Sequence, residues 1–173
     1  MDRQGHVRIA SPLAQNEGYC FRVPRDWEIR EKLEGTDVVC LAPPVKGKFR
    51  DSIVATSLSA AQMKDPVAAL TGQLGQEVKV LERGENPSDP ILVELTDPRV
   101  SPFTLRQLIF LHRESQGHGV AICCTTTADE MVDRREFFKD VVAQAKFELE
   151  HCAGPGGLPK VFPTPEVTYS PSP

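Results

Sequence analysis

Residues 104–114 (TLRQLIFLHRE) and 120–127 (VAICCTTT) read as two long strands. Ser115-Gln116-Gly117-His118-Gly119 joins them as the loop of a hairpin. In the first arm both alternating faces are apolar: Leu105, Ile109 and Leu111 on one, Leu108 and Phe110 on the other. A strand apolar on both faces lies in the middle of a sheet that is covered on both sides. The chain must therefore supply flanking strands and two covering layers. Its 173 residues suffice for one domain with one sizeable core, without help from disulfides or metals.

The flanking strands are legible. Tyr19-Cys20-Phe21-Arg22-Val23 alternates and stops at Pro24. Short strands follow around Glu28–Lys32 and at Asp37–Ala42, the latter closed by Pro43-Pro44. Ser52–Ser59 is β-branched and small, and Ile91–Thr96 ends at Asp97-Pro98. Asp65-Pro66 opens a helix with an N-cap and a first-turn proline. Its stripe is Val67, Leu70, Leu74, Val78 and Leu81, although Val78–Leu81 reads equally well as a strand. Thr127-Ala128-Asp129-Glu130 fits a capping box with Thr127 as N-cap. It would start a helix running to about Leu149, burying Phe138, Val141, Val142, Ala145 and Leu149. Residues 1–17 read as an irregular lead-in, 18–150 as the domain, and 151–173 as a Pro/Gly-rich tail, of which 152–173 should be dispensable for folding.

The fold class is thus α+β, with a mainly antiparallel sheet of five to seven strands flanked by helices. The run Gly18-Tyr19-Cys20-Phe21-Arg22-Val23-Pro24-Arg25-Asp26-Trp27, an aromatic strand entering Pro-x-x-Trp, resembles the opening of the PsbP/DcrB/LpqN-like superfamily. Ser52–Ser59 resembles the strand after that family's variable loop. The superfamily includes the photosystem II extrinsic protein PsbP, DcrB- and LpqN-type bacterial lipoproteins, and a Ran-binding nuclear import factor. The resemblance implies an α/β/α sandwich and an accessory, binding or chaperone-like role without catalysis. One branch, the chaperones of type VI secretion effectors, carries an Asp-Arg-Ser/Thr-Asn-Val-like run after the Trp. Here Glu28-Ile29-Arg30-Glu31-Lys32 stands there.

The charged, cysteine and histidine residues bear on several chemistries. Net charge is −4 with Lys and Arg dispersed, which opposes nucleic acid as the partner. No stretch is apolar for long enough to span a bilayer. The cysteines, Cys20, Cys40, Cys123, Cys124 and Cys152, are odd in number and two are adjacent. They make a poor disulfide framework and favour a reducing compartment. Neighbours on a strand point to opposite faces, so Cys123 and Cys124 cannot share one zinc ion. A Cys123–His112 or Cys124–His112 pair would make a thiol enzyme only with a base and an orienting third group. Glu94, Asp97 and Glu114 read as solvated strand ends, and Trp27 as a core plug. Lys46, Lys48, Arg50, Arg134 and Arg135 read as solvated basic faces. No Gly-rich phosphate cradle precedes a helix.

The expectation is a non-enzymatic protein without cofactor or metal. It holds a protein or peptide partner on the sheet face or the Pro43–Arg50 loop. It is cytoplasmic as written. The alternative is an exported envelope protein or lipoprotein with residues 2–17 as its tether.

Overall fold

The computed structural model describes residues 5–13, 17–31, 33–71 and 76–152. Nine strands and three helices are built from them. Strands β1 (His6–Ala10) and β2 (Gly18–Arg22) form a small antiparallel sheet. The large sheet takes β3 (Glu28–Glu31), β4 (Val38–Leu41), β5 (Ser52–Leu58), β6 (Glu77–Arg83), β7 (Ile91–Thr96), β8 (Thr104–Arg113) and β9 (Gly119–Thr127). Its order is β3-β4-β5-β9-β8-β7-β6, antiparallel throughout. The doubly apolar β8 sits between β9 and β7, as its pattern requires. The helices are α1 (Pro66–Thr71), α2 (Met131–Ala143) and α3 (Leu149–Cys152).

Register explains the core. Ile29, Cys40, Ile53, Cys124, Leu108 and Leu92 stand side by side across six strands. All except the partly buried Ile29 are almost fully buried. Onto this face pack Met131, Phe138 and Val141 of α2 together with Val7, Tyr19 and Phe21 of the small sheet. The opposite face presents Ile91, Val93, Leu95, Ile109, Ala121 and Cys123. It is covered by Met63 from a 3-10 turn (Gln62–Lys64), Val67 and Leu70 from α1, and the loop residues Phe49, Val100 and Phe103. Burial of these apolar side chains contributes roughly 1.5–3 kcal/mol each. Trp27 is 7% exposed and meets the Phe137 ring at 5.8 Å, the core-plug role its position suggested.

Four expectations need correcting. Residues 6–10 are not irregular: Val7 and Ile9 alternate with outward Arg8 and Ala10, and the strand pairs with β2. Thr127 is not an N-cap. It remains paired with Leu105 at the end of β9, and the ladder outcompetes the capping box. Glu130 precedes α2 and makes no side-chain cap.

The third correction is that α2 stops at Ala143 instead of running to Leu149. The chain then turns so that Lys146 exchanges two backbone hydrogen bonds with Cys20. Ala145 still touches the core, but from this bridge segment. Leu149 belongs to α3 and lies over Gly18. A Cβ on Gly18 would fall 2.8 Å from the Leu149 side chain and 2.2 Å from the Ile9 carbonyl oxygen.

The fourth concerns the cysteines. Cys20 and Cys152 form a disulfide with Cα atoms 5.9 Å apart, so Cys152 is part of the fold and not of a dispensable tail. The odd cysteine count makes a poor disulfide framework, but the Cys20–Lys146 bridge and the single turn of α3 bring Cys152 under β2. Of the first helical stripe, Val67 and Leu70 lie on α1, while Val78 and Leu81 lie on β6. Leu74 and residues 153–173 lie outside the described residues.

Candidate functional site

The thiols offer no nucleophile. Cys123 and Cys124 pair in register with Ile109 and Leu108, whereas His112 pairs with Val120, so no cysteine faces the imidazole. Burial pushes the Cys123 thiol up to about 12 and Cys124 well above its ordinary value. Burial likewise takes Cys40 to about 12, with a smaller push from Glu31. We expect a thiol reagent to leave the native, unreduced protein unmodified and to titrate three thiols, Cys40, Cys123 and Cys124, after denaturation. Five thiols would contradict the Cys20–Cys152 bond. Rapid native labelling of Cys123 would restore the thiol-enzyme reading.

Of the basic residues singled out in the sequence, Arg50, Arg134 and Arg135 are engaged in the fold, whereas Lys46 is exposed and Lys48 largely so. Arg134 donates from Nε to Asp51 at 2.9 Å, and the buried Thr126 hydroxyl donates to the same carboxylate at 2.7 Å. The Arg134 guanidinium also lies 4.4 Å over the Phe137 ring. Arg135 pairs with Glu82, Arg50 with Glu28, and Lys48 approaches Glu130. Arg134–Asp51 and Arg135–Glu82 fasten α2 to the start of β5 and to the β6 edge, and Arg50–Glu28 ties the Pro43–Arg50 loop to β3. The carboxylates Glu94, Asp97 and Glu114 do not meet one another. Glu94 pairs with Arg106, Asp97 with Arg99, and Glu114 with His118. Hydrogen bonds from Arg99 hold the Asp97 carboxyl down at about 2.

Of several surface hollows, one is a cleft where the core reaches the surface. It opens between the last turns of α2, the end of β8 and the segment after α2. Its volume is about 270 Å³. The walls are Phe110, His112, Val142, Ala143 and Phe147, with Lys139 at the rim. Phe110 and His112 share one face of β8 because they are two residues apart. Val142 and Ala143 close the cleft from the helix. Phe147 stacks flat on His112, with ring centroids 4.0 Å apart and planes 10° from parallel. Burial lowers the His112 pKa, against an opposing pull from Glu148, so the ring is neutral at pH 7 and serves as an aromatic wall. The Lys139 ammonium lies 3.7 Å from Glu136 and is close to half exposed. The hollow is thus mainly apolar, with one ammonium group beside it.

Sequence reasoning missed this cleft. Phe147 had been counted within a continuous helix, and only the break after Ala143 turns it back onto His112. Among the described residues no helix is long and apolar enough to cross a membrane. No protein-family profile and no curated protein matches the chain. Solved structures that are similar to it include the following two. One is LpqN of Mycobacterium tuberculosis, involved in cell envelope biogenesis, with 12% identity, a TM-score of 0.49, and coverage of 83% of this chain and 90% of that one. The other is the cyanobacterial PsbP of Synechocystis, with 13% identity, a TM-score of 0.45, and coverage of 83% and 93%.

Proposed function

We infer that the chain is a non-enzymatic binding protein that holds a short segment of a protein or peptide partner in the cleft beside α2. The observation that carries this reading is the cleft itself, where Phe110, Val142 and Phe147 line an open hollow with a cation at its rim. Its volume suits one or two side chains rather than a large cofactor, since small-molecule pockets run from about 300 to 1,000 Å³. The preferred segment carries a large apolar residue next to Asp or Glu, the apolar group entering the cleft and the carboxylate meeting Lys139. An accessory role, scaffold or chaperone-like, follows from holding a partner without transforming it.

The cell envelope is the place that the disulfide supports. Bonds of this kind persist in oxidising compartments and are rare in a reducing cytosol.

A peptide-display selection against the purified, disulfide-bonded chain tests the reading. Enriched peptides should share an apolar residue flanked by an acidic one. They should lose at least about tenfold in affinity, roughly 1.4 kcal/mol, for Ala143→Trp, which fills the hollow, and for Lys139→Glu. Absence of enrichment, or peptides that bind Ala143→Trp as well as the parent, would refute it.

A further inference from the structure

Away from the cleft, β6 is the last strand at one edge of the large sheet. Among the described residues no strand pairs with its outer side. Such an edge leaves backbone N–H and C=O groups pointing outward, ready to accept another strand. Here the strand is also thinly covered. Glu77, Val78, Lys79 and Val80 are all exposed, the two valines by 36% and 41%. Register sets their faces. Val78 and Val80 stand beside Leu95 and Val93, on the side of the sheet opposite α2. Glu77 and Lys79 stand beside Thr96 and Glu94, on the face that carries Leu92 and α2. Glu94 is already paired with Arg106. Neither Glu77 nor Lys79 has an ion-pair partner among the described residues.

A lysine on an edge usually repels a second strand. Symmetry reverses that effect here. Two copies pairing edge to edge meet about a two-fold axis, so each contact occurs twice. Opposite residues share a face while neighbours along a strand alternate. The axis must therefore pass through one residue and its own copy. An axis at Glu77 sets two carboxylates opposite each other, and one at Lys79 sets two ammonium groups opposite each other. Both arrangements repel. An axis at Val80 needs the residues beyond it, where the ladder shifts register between Val80 and Glu82. An axis at Val78 sets valine against valine on one face. On the other face Glu77 stands opposite Lys79 of the second copy, and Lys79 opposite its Glu77.

We propose that β6 pairs antiparallel with β6 of a second copy of this chain about an axis at Val78, joining two seven-stranded sheets into one. Directly opposite residues have Cβ atoms about 4.5–5.5 Å apart, within ion-pair reach for Glu and Lys. Both α2 helices then lie on the same face of the joined sheet. The paired stretch is short and its charges are exposed, so association is weak, concentration-dependent and reduced by salt.

The test is sedimentation velocity on the full disulfide-bonded chain, from low micromolar to millimolar concentration. A monomer–dimer equilibrium is expected, with a dissociation constant that rises with added salt. Glu77→Lys alone and Lys79→Glu alone each place like charges at both contacts. Each should weaken association at least about tenfold. Both side chains are exposed, so neither change disturbs the core. Mixing the two variants restores opposite charges at both contacts, and they should pair with each other as strongly as the parent does with itself. Glu77→Lys and Lys79→Glu together in one chain exchange the signs and should self-associate like the parent. A parent that stays monomeric at the highest concentration, its edge free or covered by another segment, would overturn the proposal. So would association undiminished in the single variants, or a mixture of the two that does not pair.

Discussion

Replacing Phe138 with alanine is expected to unfold the protein or leave it barely folded. The ring is completely buried at the centre of the layer between α2 and the large sheet, against the row that includes Cys124 and Leu108. It also leans on Phe137, 5.6 Å away between centroids. Truncating a buried phenylalanine costs about 3–5 kcal/mol. A domain of this size has roughly 5–15 kcal/mol in total. The next residue, Lys139, is on the outside of the helix with a single ion pair, and Lys139→Ala should cost less than about 0.5 kcal/mol. Denaturant unfolding of the two variants beside the parent decides the matter. Similar losses in both would mean that α2 does not present Phe138 to the sheet, and the layer arrangement would fall with it.

Cys152→Ser is the second large effect. The Cys20–Cys152 bond closes a sequence separation of 132 residues. Chain-entropy reasoning gives about 4–5 kcal/mol for a loop of that length, and losing a native disulfide in practice costs about 2–5 kcal/mol. The variant should melt well below the parent. Reductant should lower the parent's melting temperature toward that of the variant and leave the variant itself unmoved. A parent insensitive to reductant, with Cys152→Ser melting beside it, would show that the bond does not stabilise the domain. The earlier expectation that the chain from residue 152 onward is dispensable would then revive.

Much of the large sheet was legible because each strand carries its own evidence. The two-sided apolar pattern of β8 predicted a central position, and the turn at Ser115–Gly119 predicted its partner. Asp65 acts as the N-cap expected of it, its carboxylate accepting from Ala68 N at 3.3 Å. The failures share a cause, since they occur where a distant contact outweighs a local preference. The capping box at Thr127 yields to the ladder with β8. The helical periodicity beyond Ala143 yields to the backbone bridge between Lys146 and Cys20. β1 has only two inward side chains, Val7 and Ile9, too few to stand out from a polar stretch until β2 pairs with it. The cleft was hidden for the same reason, because it depends on which segments meet at the end of the sheet.

The disulfide also determines how the protein carries tension. Cys20 lies in β2 and Cys152 at the end of α3, so β3 to β9 and helices α1 and α2 all fall within the covalent loop. A pull entering at one cysteine leaves at the other through two sulfur atoms. The large sheet and the cleft beside α2 are then mechanically bypassed. Of the strands, only β1 and the first residues of β2 stand in the line of force. Fastened at one end and drawn at the other, the chain would peel its small sheet and keep the cleft beside α2 folded.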